Sequence, residues 1–211
     1  MDALTLETAV RARLRGRWLL DHPFYRRWTE GRVSVEELRA YAAQYRHFEA
    51  MLPAHLRGVA AAAPADSALR EQALRNLDDE STHLDLFDGF AAALDAPGET
   101  APSPAMRRLL DTYASASAQG PAAGFAALLA YELQAPDVAA SKAAGLREHG
   151  ILDGDALRFW DLHATLDRDH AQWALDALAA CDADADSVAA AAGAVADAWW
   201  SFLDEREALR A

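Results

Sequence analysis

A predicted helix in the last third of the sequence carries side chains with an evident chemical use. His163, Asp167 and His170 are spaced by four and three residues, and at the helical repeat they fall within about 60° of one another. Leu162 and Trp173 continue this face, so we expect it to point into the protein. Two buried imidazoles and a carboxylate are costly unless a cation receives them. Divalent metals bind neutral imidazole and ionised carboxylate, so the pattern is compatible with a metal site. The alternative is a helix with two satisfied histidines and solvated acids, and this motif alone does not exclude it.

Two other segments supply groups of the same kind. Glu80 and His83 have the Glu-x-x-His spacing of carboxylate-bridged dimetal sites in helical bundles. Asp79, four residues before His83, is a rival ligand. Glu132 ends the apolar run 122–131, where a carboxylate is expensive to bury without a cation. The alternative for these groups is a solvated surface position or, for Glu132, pairing with an arginine.

Three predicted helices together contribute three carboxylates and three imidazoles: Glu80, His83, Glu132, His163, Asp167 and His170. Six ligands suit two metal ions better than one, and a lone two-histidine-one-carboxylate iron site would leave the other acids unexplained. We expect two iron ions, or iron with manganese, and O2 as the co-substrate. A hydrolytic metal pair fits a dry helical pocket less well. Glu49 is a further carboxylate that could contact or support the metals.

Helices must position these residues, because Ala and Leu abound, β-branched residues are sparse and apolar positions recur at three and four. We expect an all-α fold with about seven helices in one domain spanning residues 1–211. Capping residues, prolines and glycines predict the helix limits. The predicted helices cover about 5–20, 34–62, 64–94, a segment from 103, 121–148 with a bend near Pro136, 155–180 and 187–207.

Composition narrows the class of protein further. The chain has 211 residues, 52% of them hydrophobic, and a formal net charge of −13. This charge argues against nucleic acid or an anionic membrane as a partner, since both would repel the protein. Cys181 is the single cysteine, which excludes an internal disulfide and a multi-cysteine zinc site. No apolar run is long enough to span a bilayer and the N-terminal segment lacks signal-peptide character, so we expect a cytoplasmic protein.

Five segments of the sequence resemble the haem-oxygenase-like dimetal oxidases, and among them the chlamydial-type, folate-related para-aminobenzoate synthases of the wider PqqC/TenA-like superfamily. The similarity runs from about residue 20 to residue 178. It implies a seven-helix haem-oxygenase-like bundle that holds two metals rather than haem and uses O2 on small amines and acids. The segments that carry it are 22–25, 76–83, 131–136, 141–146 and the His-x-x-x-Asp-x-x-His element at 163–170.

The resemblance also implies roles for three other residues. In the para-aminobenzoate branch the enzyme consumes one of its own tyrosines and takes nitrogen from a lysine. Tyr25 matches the consumed tyrosine, Lys142 the nitrogen donor and Tyr131 a redox-active neighbour of Glu132. Lys142 lies about 15 Å beyond Glu132 along an unbroken helix, so it reaches the metals only if the helix bends or breaks, which Pro136 permits. Alternatively, both tyrosines are core aromatics and Lys142 is a surface cation.

The sequence departs from the family pattern at two points. The family usually has a longer spacing between the glutamate and the histidine of its third helix than Glu80 and His83 show. Phe159 stands where some relatives have a further tyrosine. The first departure concerns which acid ligates, and the second concerns the self-consuming reaction more than the metals.

Three functions are open at this point. The first is a dimetal oxidase that makes para-aminobenzoate from its own tyrosine and lysine, and the second is a dimetal oxidase acting on an external amino-acid-like or fatty-acid-like substrate. The third is a metal-free TenA-like hydrolase or binding module, which would need a pocket thiol that Cys181, at a helix end beside an acid, does not provide. Haem would need a histidine such as His22, whose position before a proline instead indicates a helix cap.

The expected partners are a small molecule, or the protein's own tyrosine and lysine, and a second copy of the chain. Trp199, Trp200 and Phe202 on the last helix are expected to pack against the bundle or in a homodimer interface, where aromatic residues are common.

Overall fold

The fold is described by a computed structural model that covers residues 1–210, and all of their side chains except those of residues 166–168. Over this part of the chain the structure is all-α, as predicted, with no strand. Two short 3-10 turns cover Leu19–Asp21 and Gly154–Leu157. The helices are α1 (Ala3–Arg13), α2 (Pro23–Thr29), α3 (Val35–Ala62), α4 (Ala68–Glu80), α5 (His83–Ala93), α6 (Pro104–Ala118), α7 (Pro121–Glu132), α8 (Ala135–Glu148), α9 (Arg158–Ala180) and α10 (Ala185–Ala208).

The long helix α3 begins where the sequence predicts. The Ser34 hydroxyl accepts a hydrogen bond from the Glu37 amide at 3.2 Å, and the Glu37 carboxylate accepts one from the Ser34 amide at 2.8 Å. This reciprocal pair satisfies two donors that a helix start leaves free. One buried face of α3 carries aromatic, acidic and apolar side chains at three- and four-residue spacing, among them Tyr41, Tyr45 and Glu49. The helix therefore contributes one wall to the interior described below.

The single helix predicted over 64–94 is wrong, because the chain breaks between α4 and α5. Ser81 and Thr82 lie outside both helices, and the Ser81 hydroxyl donates to the Asp78 carbonyl at 2.6 Å. Asp, Ser and Thr are weak helix formers, since their side chains compete with the backbone for its hydrogen bonds. The break falls between the two predicted ligands Glu80 and His83, which therefore belong to different helices.

The segment predicted over 121–148 is also two helices. The break lies between α7 and α8, just before Pro136, which is the second residue of α8. The Gln134 side chain holds it, donating to the Ala130 carbonyl at 2.6 Å and accepting from the Leu19 amide at 2.7 Å. This change of direction is the break that Lys142 needed, and Lys142 is buried in the interior at 1% exposure.

The first predicted helix is shorter than expected. It ends at Arg13, and Gly16 follows with a positive φ of 74° that L side chains rarely adopt. The chain then re-enters helix at α2, where the His22 Nδ1 accepts a hydrogen bond from the Phe24 amide at 3.1 Å. His22 thus has the capping role that its position before Pro23 indicates.

Aromatic side chains fill much of the core. Trp199 on α10 is fully buried and contacts Phe48 and Tyr131, with ring centroids at 4.7 and 5.0 Å. Phe202 is buried as well. These two residues pack against the bundle, the first of the two predicted placements, and the homodimer stays a prediction.

Two further expectations concern the cysteine and membrane spans. Cys181 is exposed at the end of α9. Along the described residues, no helix has both the length and the apolar character required to cross a bilayer.

A buried ion-pair network fixes α2, the helix that carries Tyr25. Arg27 is 3% exposed and donates to Glu37 in the first turn of α3 at 2.6 Å and to Glu207 on α10 at 3.0 Å. Removing one member of a buried pair leaves an uncompensated charge, which costs more than the pair itself contributes. Arg27 therefore fastens α2 to both helices.

We expect Arg27→Ala to lower the free energy of unfolding by about 3 kcal/mol, because Glu37 would be left buried without its cation. Arg26→Ala is the matched control, since Arg26 is exposed and its pair with Asp21 is worth at most about 1 kcal/mol. Urea denaturation of the two variants measures the difference. Equal losses would show that the network does not anchor α2.

Candidate metal centre

Three predicted ligands meet in the interior. Glu80, His83 and His163 are all buried, and each offers a ligand atom such that the three atoms lie within 4.8 Å of one another. The His83 Nδ1 is 2.7 Å from the Glu80 Oε2, and the rings of His83 and His163 have centroids 4.6 Å apart. Helices α4, α5 and α9 each supply one residue. This spacing fits a group of ligands around one cation.

A hydrogen bond to the Phe159 carbonyl orients the His163 ring for metal binding. Its Nδ1 is 2.8 Å from the Phe159 carbonyl, and because a carbonyl only accepts, Nδ1 carries the proton. The Nε2 lone pair is then available to a metal, as in metal sites where the second ring nitrogen bonds a carbonyl. Burial lowers the pKa of His163 to about 4, so the imidazole is neutral at neutral pH, as a ligand must be.

Glu80 is ionised in the same environment. Burial alone would raise the pKa of its carboxyl group, but the hydrogen bond from His83 helps to outweigh burial and lower it. The cluster therefore presents a carboxylate beside the neutral imidazole of His163, a pair of donors that suits iron and manganese.

Glu132 adds a second carboxyl group. It lines the same cavity as Glu80 and His163, and its Oε1 accepts a hydrogen bond of 3.4 Å from Asn76. Its Oε2 is buried and has no hydrogen-bond partner among the described residues. Burial, with a contribution from the charge of Glu80, raises the pKa of Glu132 to about 8. A buried oxygen without a partner is costly, and a metal ion at this position would satisfy it.

The remaining two predicted ligands are placed less closely. His170 is buried and lies close enough to Glu80 and His163 to interact with them electrostatically. Its Nε2 lies 3.1 Å from the Asp79 carboxylate. The structure thus brings His170 near the cluster but pairs it with Asp79. The side chain of Asp167 lies outside the described residues.

Trp173 does not follow the prediction that it points inward. It is 41% exposed and contacts the His170 ring at 5.8 Å between centroids. At 100° per residue it lies at the margin of the face that His163 centres, so a helix that packs by a narrow stripe leaves it at the surface.

The cavity beside these ligands is small and mostly apolar. About 20 Å³ of it can hold the centre of a water-sized sphere, where one water needs roughly 10–15 Å³ by the same measure. It therefore has room for at least one water-sized molecule beside the candidate ligands. Its walls are Phe48, Glu49, Leu52, Leu56, Glu80, Tyr113, Leu128, Tyr131, Glu132 and His163.

Lys142 is enclosed by aromatic rings. Its Nζ lies 3.9 Å from the ring centroid of Trp160 and 5.0 Å from that of Tyr25. The Tyr41 hydroxyl is 2.7 Å from the same Nζ and 2.8 Å from the Tyr25 hydroxyl, so it joins the two predicted reactants. Burial lowers the pKa of Lys142 well below its usual value, and the charge of Glu49 offsets this only in part. The surface-cation alternative for Lys142 is wrong.

Tyr131 connects this group with the carboxylates. Its hydroxyl lies 2.7 Å from that of Tyr45, and the Tyr45 ring stacks on Tyr41 at 5.4 Å and has Lys142 Nζ 4.7 Å from its centroid. Aromatic groups in contact thus run from Tyr25 to the residue preceding Glu132. We call Tyr25, Tyr41, Tyr45, Tyr131 and Lys142 the tyrosine–lysine cluster.

Sequence reasoning missed Tyr41 and Tyr45, although a signal was present. They are four residues apart and share a helix face with Glu49. A second signal concerns Lys142, which is the only lysine among the 20 Lys and Arg residues of the chain. A residue type that occurs once is a candidate for a special role, and this lysine is buried among aromatic rings.

Comparison with known proteins identifies the class. Residues 39–200 match the family described as "Iron-containing redox enzyme", and the chain belongs to this family. It is 35% identical to 4-aminobenzoate synthase of Nitrosomonas europaea, over 97% of this chain and 92% of that protein. It is 32% identical to 4-aminobenzoate synthase of Chlamydia muridarum, over 90% and 85%. The resemblance inferred from the sequence segments is confirmed.

Solved structures show the same fold. A TenA homologue from Pseudomonas syringae pv. tomato superposes with a TM-score of 0.81 at 16% identity, covering 97% of this chain and 91% of the other. A protein with a heme oxygenase-like fold from Shewanella denitrificans gives a TM-score of 0.78 at 18% identity, covering 99% and 93%. The predicted haem-oxygenase-like bundle is thereby confirmed.

We expect His163→Ala to weaken Fe²⁺ binding by at least about tenfold, since even residues that only support a metal ligand cost that much when removed. His149→Ala is the control, because His149 is exposed, is not among the clustered ligands, and has its Nε2 3.1 Å from the Thr29 carbonyl. Anaerobic titration against a chromophoric chelator measures both affinities. Equal affinities in the two variants would remove His163 from the site.

The raised pKa of Glu132 predicts how the metal-free protein responds to pH. The pKa of about 8 in the folded state exceeds the usual carboxyl value of 4.5, so the folded state retains a proton that the unfolded state loses, and stability falls as pH rises toward 8. We expect Glu132→Gln to make this fall shallower between pH 6.5 and 8, a range above the usual histidine pKa of about 6.5. Urea denaturation with a chelator present measures the slope, and an unchanged slope contradicts the prediction.

Proposed function

We propose that this protein is an O2-dependent dimetal oxidase that forms 4-aminobenzoate, with its own Tyr25 as the source of the ring and its own Lys142 as the source of the nitrogen. The observation that carries the proposal is the tyrosine–lysine cluster. In it the Lys142 Nζ is buried 5.0 Å from the Tyr25 ring centroid and is linked to the Tyr25 hydroxyl through Tyr41. The relatives named 4-aminobenzoate synthase support the same product.

The metals would be held by the six predicted ligands. Glu80, His83 and His163 form the geometrically clearest group, and Glu132, Asp167 and His170 are proposed for the second ion. Two iron ions, or iron with manganese, would supply the activation of O2 when bound. The orphaned Glu132 oxygen and the neutral His163 are the observations that favour this assignment.

The chain's own residues prepare the amine and the ring. A lysine can form a bond to an electron-poor carbon only when its nitrogen is unprotonated, and desolvation in an apolar pocket is a recognised way to achieve this. Burial of Lys142 among aromatic rings lowers its pKa and so favours the unprotonated amine. The Tyr41 hydroxyl orients the amine toward Tyr25, and the packed core excludes water from both.

Tyr131 and Tyr45 are proposed to connect the two parts of the site. Their hydroxyl groups lie 2.7 Å apart, and Tyr131 is the chain neighbour of Glu132. Tyrosines in hydrogen-bonded contact can pass an electron together with a proton. This gives Tyr131 the redox role that the family resemblance implies.

The burial of the two proposed reactants favours an internal over an external substrate. Tyr25 and Lys142 are each only 1% exposed, so they face each other and not the solvent. The metal-free hydrolase alternative is disfavoured by the position of Cys181, which is exposed at the end of α9 and absent from the cavity walls.

Isotope labelling tests the proposal directly. Because Lys142 is the only lysine, protein made with ε-¹⁵N-lysine contains one labelled side-chain nitrogen. We expect 4-aminobenzoate formed by the iron-loaded, aerated protein to contain ¹⁵N, and ring-¹³C-tyrosine to label its ring. Ring-¹³C-phenylalanine is the control and transfers no label. The yield is expected not to exceed one product per chain, and mass spectrometry measures label and yield together.

Variants separate the internal from the external source. Tyr25→Phe and Lys142→Ala are each expected to reduce the product below detection. Phenylalanine lacks the phenolic hydroxyl through which the ring can be oxidised to an electron-poor form, and alanine lacks the nitrogen that would replace that hydroxyl. Unlabelled product, or several turnovers per chain from either variant, would favour an oxidase acting on an external substrate.

A further inference from the structure

Glu49 on α3 is a third buried carboxyl group beside the candidate metal ligands. Glu49 is 3% exposed, and its side chain lines the same cavity as Glu80, Glu132 and His163. Its Oε2 is buried and lacks a hydrogen-bond partner among the residues whose side chains are described. Neither the family match nor the relatives assign a role to this residue.

The surroundings of Glu49 do not neutralise it. Lys142 is the cation that acts on it, but Lys142 is itself buried and its pKa is lowered. Glu80 repels it, and the Tyr45 hydroxyl, one helical turn earlier on α3, opposes this effect only in part. A buried acid beside another acid is stable only as a neutral group or with a cation between the two. The cavity wall thus contains three acids that face a common space.

Asp79, the other additional ligand that the sequence left open, is in a different situation. Its side chain is 40% exposed and is already paired with the His170 Nε2 at 3.1 Å. An exposed, paired carboxylate needs no further cation. The structure therefore separates the two alternatives, because Glu49 is buried with a free oxygen in the cavity and Asp79 is not.

We propose that Glu49 is a seventh protein ligand of the dimetal centre. Helix α3 would then supply a metal ligand, as α4, α5, α7 and α9 do. The proposal rests on the proposed function for the presence of the metals. Carboxylate is a ligand that iron and manganese accept. Since Glu49 follows Tyr45 by one turn of the same helix, a metal bound to Glu49 also fixes the register of the tyrosine–lysine cluster against the metals.

The test compares Glu49→Gln with Glu36→Gln, a carboxylate on the first turn of the same helix that is exposed. The probe is Mn²⁺ or Fe²⁺ alone, titrated anaerobically into chelator-treated full-length protein, with competition against a chromophoric chelator. We expect two ions per chain in the wild type and in Glu36→Gln. In Glu49→Gln we expect one ion to be lost or bound at least about tenfold more weakly.

The thermal stability of the same samples distinguishes ligation from a packing role. Without metal, Glu49→Gln is expected to melt at a higher temperature than the wild type, because the amide removes an unpaired buried acid. With metal, the stabilisation of the variant is expected to be smaller than that of the wild type. A packing role would instead lower the melting temperature in both states.

Each remaining outcome is decisive. If the wild type binds no metal, the proposed function fails first. If the wild type and Glu49→Gln both bind two ions with equal affinities, the function stands and the role of Glu49 is overturned. If Glu49→Gln does not fold, Glu49→Asp keeps the charge on a side chain one carbon shorter, and is expected to weaken one ion and leave the other unchanged. Unchanged affinity for both ions in that variant also overturns the proposal.

Discussion

The interior of this protein depends on neutralising acids that its helices place away from water. Glu49, Glu80 and Glu132 line one cavity whose other walls are mostly apolar and aromatic, and the described residues supply no guanidinium to that cavity. A domain of this size has a net stability of only about 5–15 kcal/mol, so it cannot carry several uncompensated buried charges. Two imidazoles beside a carboxylate, and two carboxyl oxygens without partners among the described residues, form an arrangement that metal ions would complete.

The same dryness has the opposite effect on the amine. Five aromatic rings face the Lys142 Nζ at distances that would favour a cation, yet burial dominates and lowers its pKa. Acids that require cations and an amine whose pKa burial lowers thus both lie against α3. The stacked Tyr41 and Tyr45 lie between them. The long helix α3 passes both the acids and the amine. The chain breaks between α4 and α5 and between α7 and α8, close to Glu80, His83 and Glu132.

Much of this arrangement follows from sequence periodicity, and the part that does not has a physical reason. The spacing of His163, Asp167 and His170 and the capping box at Ser34 predict which faces are buried and where a helix starts. Periodicity does not reveal a break inside a continuous pattern, and this is why one helix was predicted across Glu80 and His83. Nor does it distinguish Asp79 from Glu49, since a carboxylate looks the same in the sequence whether it is solvated or orphaned. Trp173 lies at the edge of its helix stripe, where small rotations decide exposure.

The burial of a unique lysine also shapes the exterior. The other Lys and Arg residues of the chain are all arginines. The α-amino group of Met1 donates a hydrogen bond to the Asp182 carboxylate at 2.9 Å. The surface is therefore nearly devoid of primary amines, and its positive charge comes from guanidinium groups that acylating reagents and aldehydes attack poorly. Because Lys142 is 1% exposed, a chain that had given up this nitrogen would present the same outer side chains as a fresh one, and amine-reactive labels applied to the folded protein would not distinguish the two.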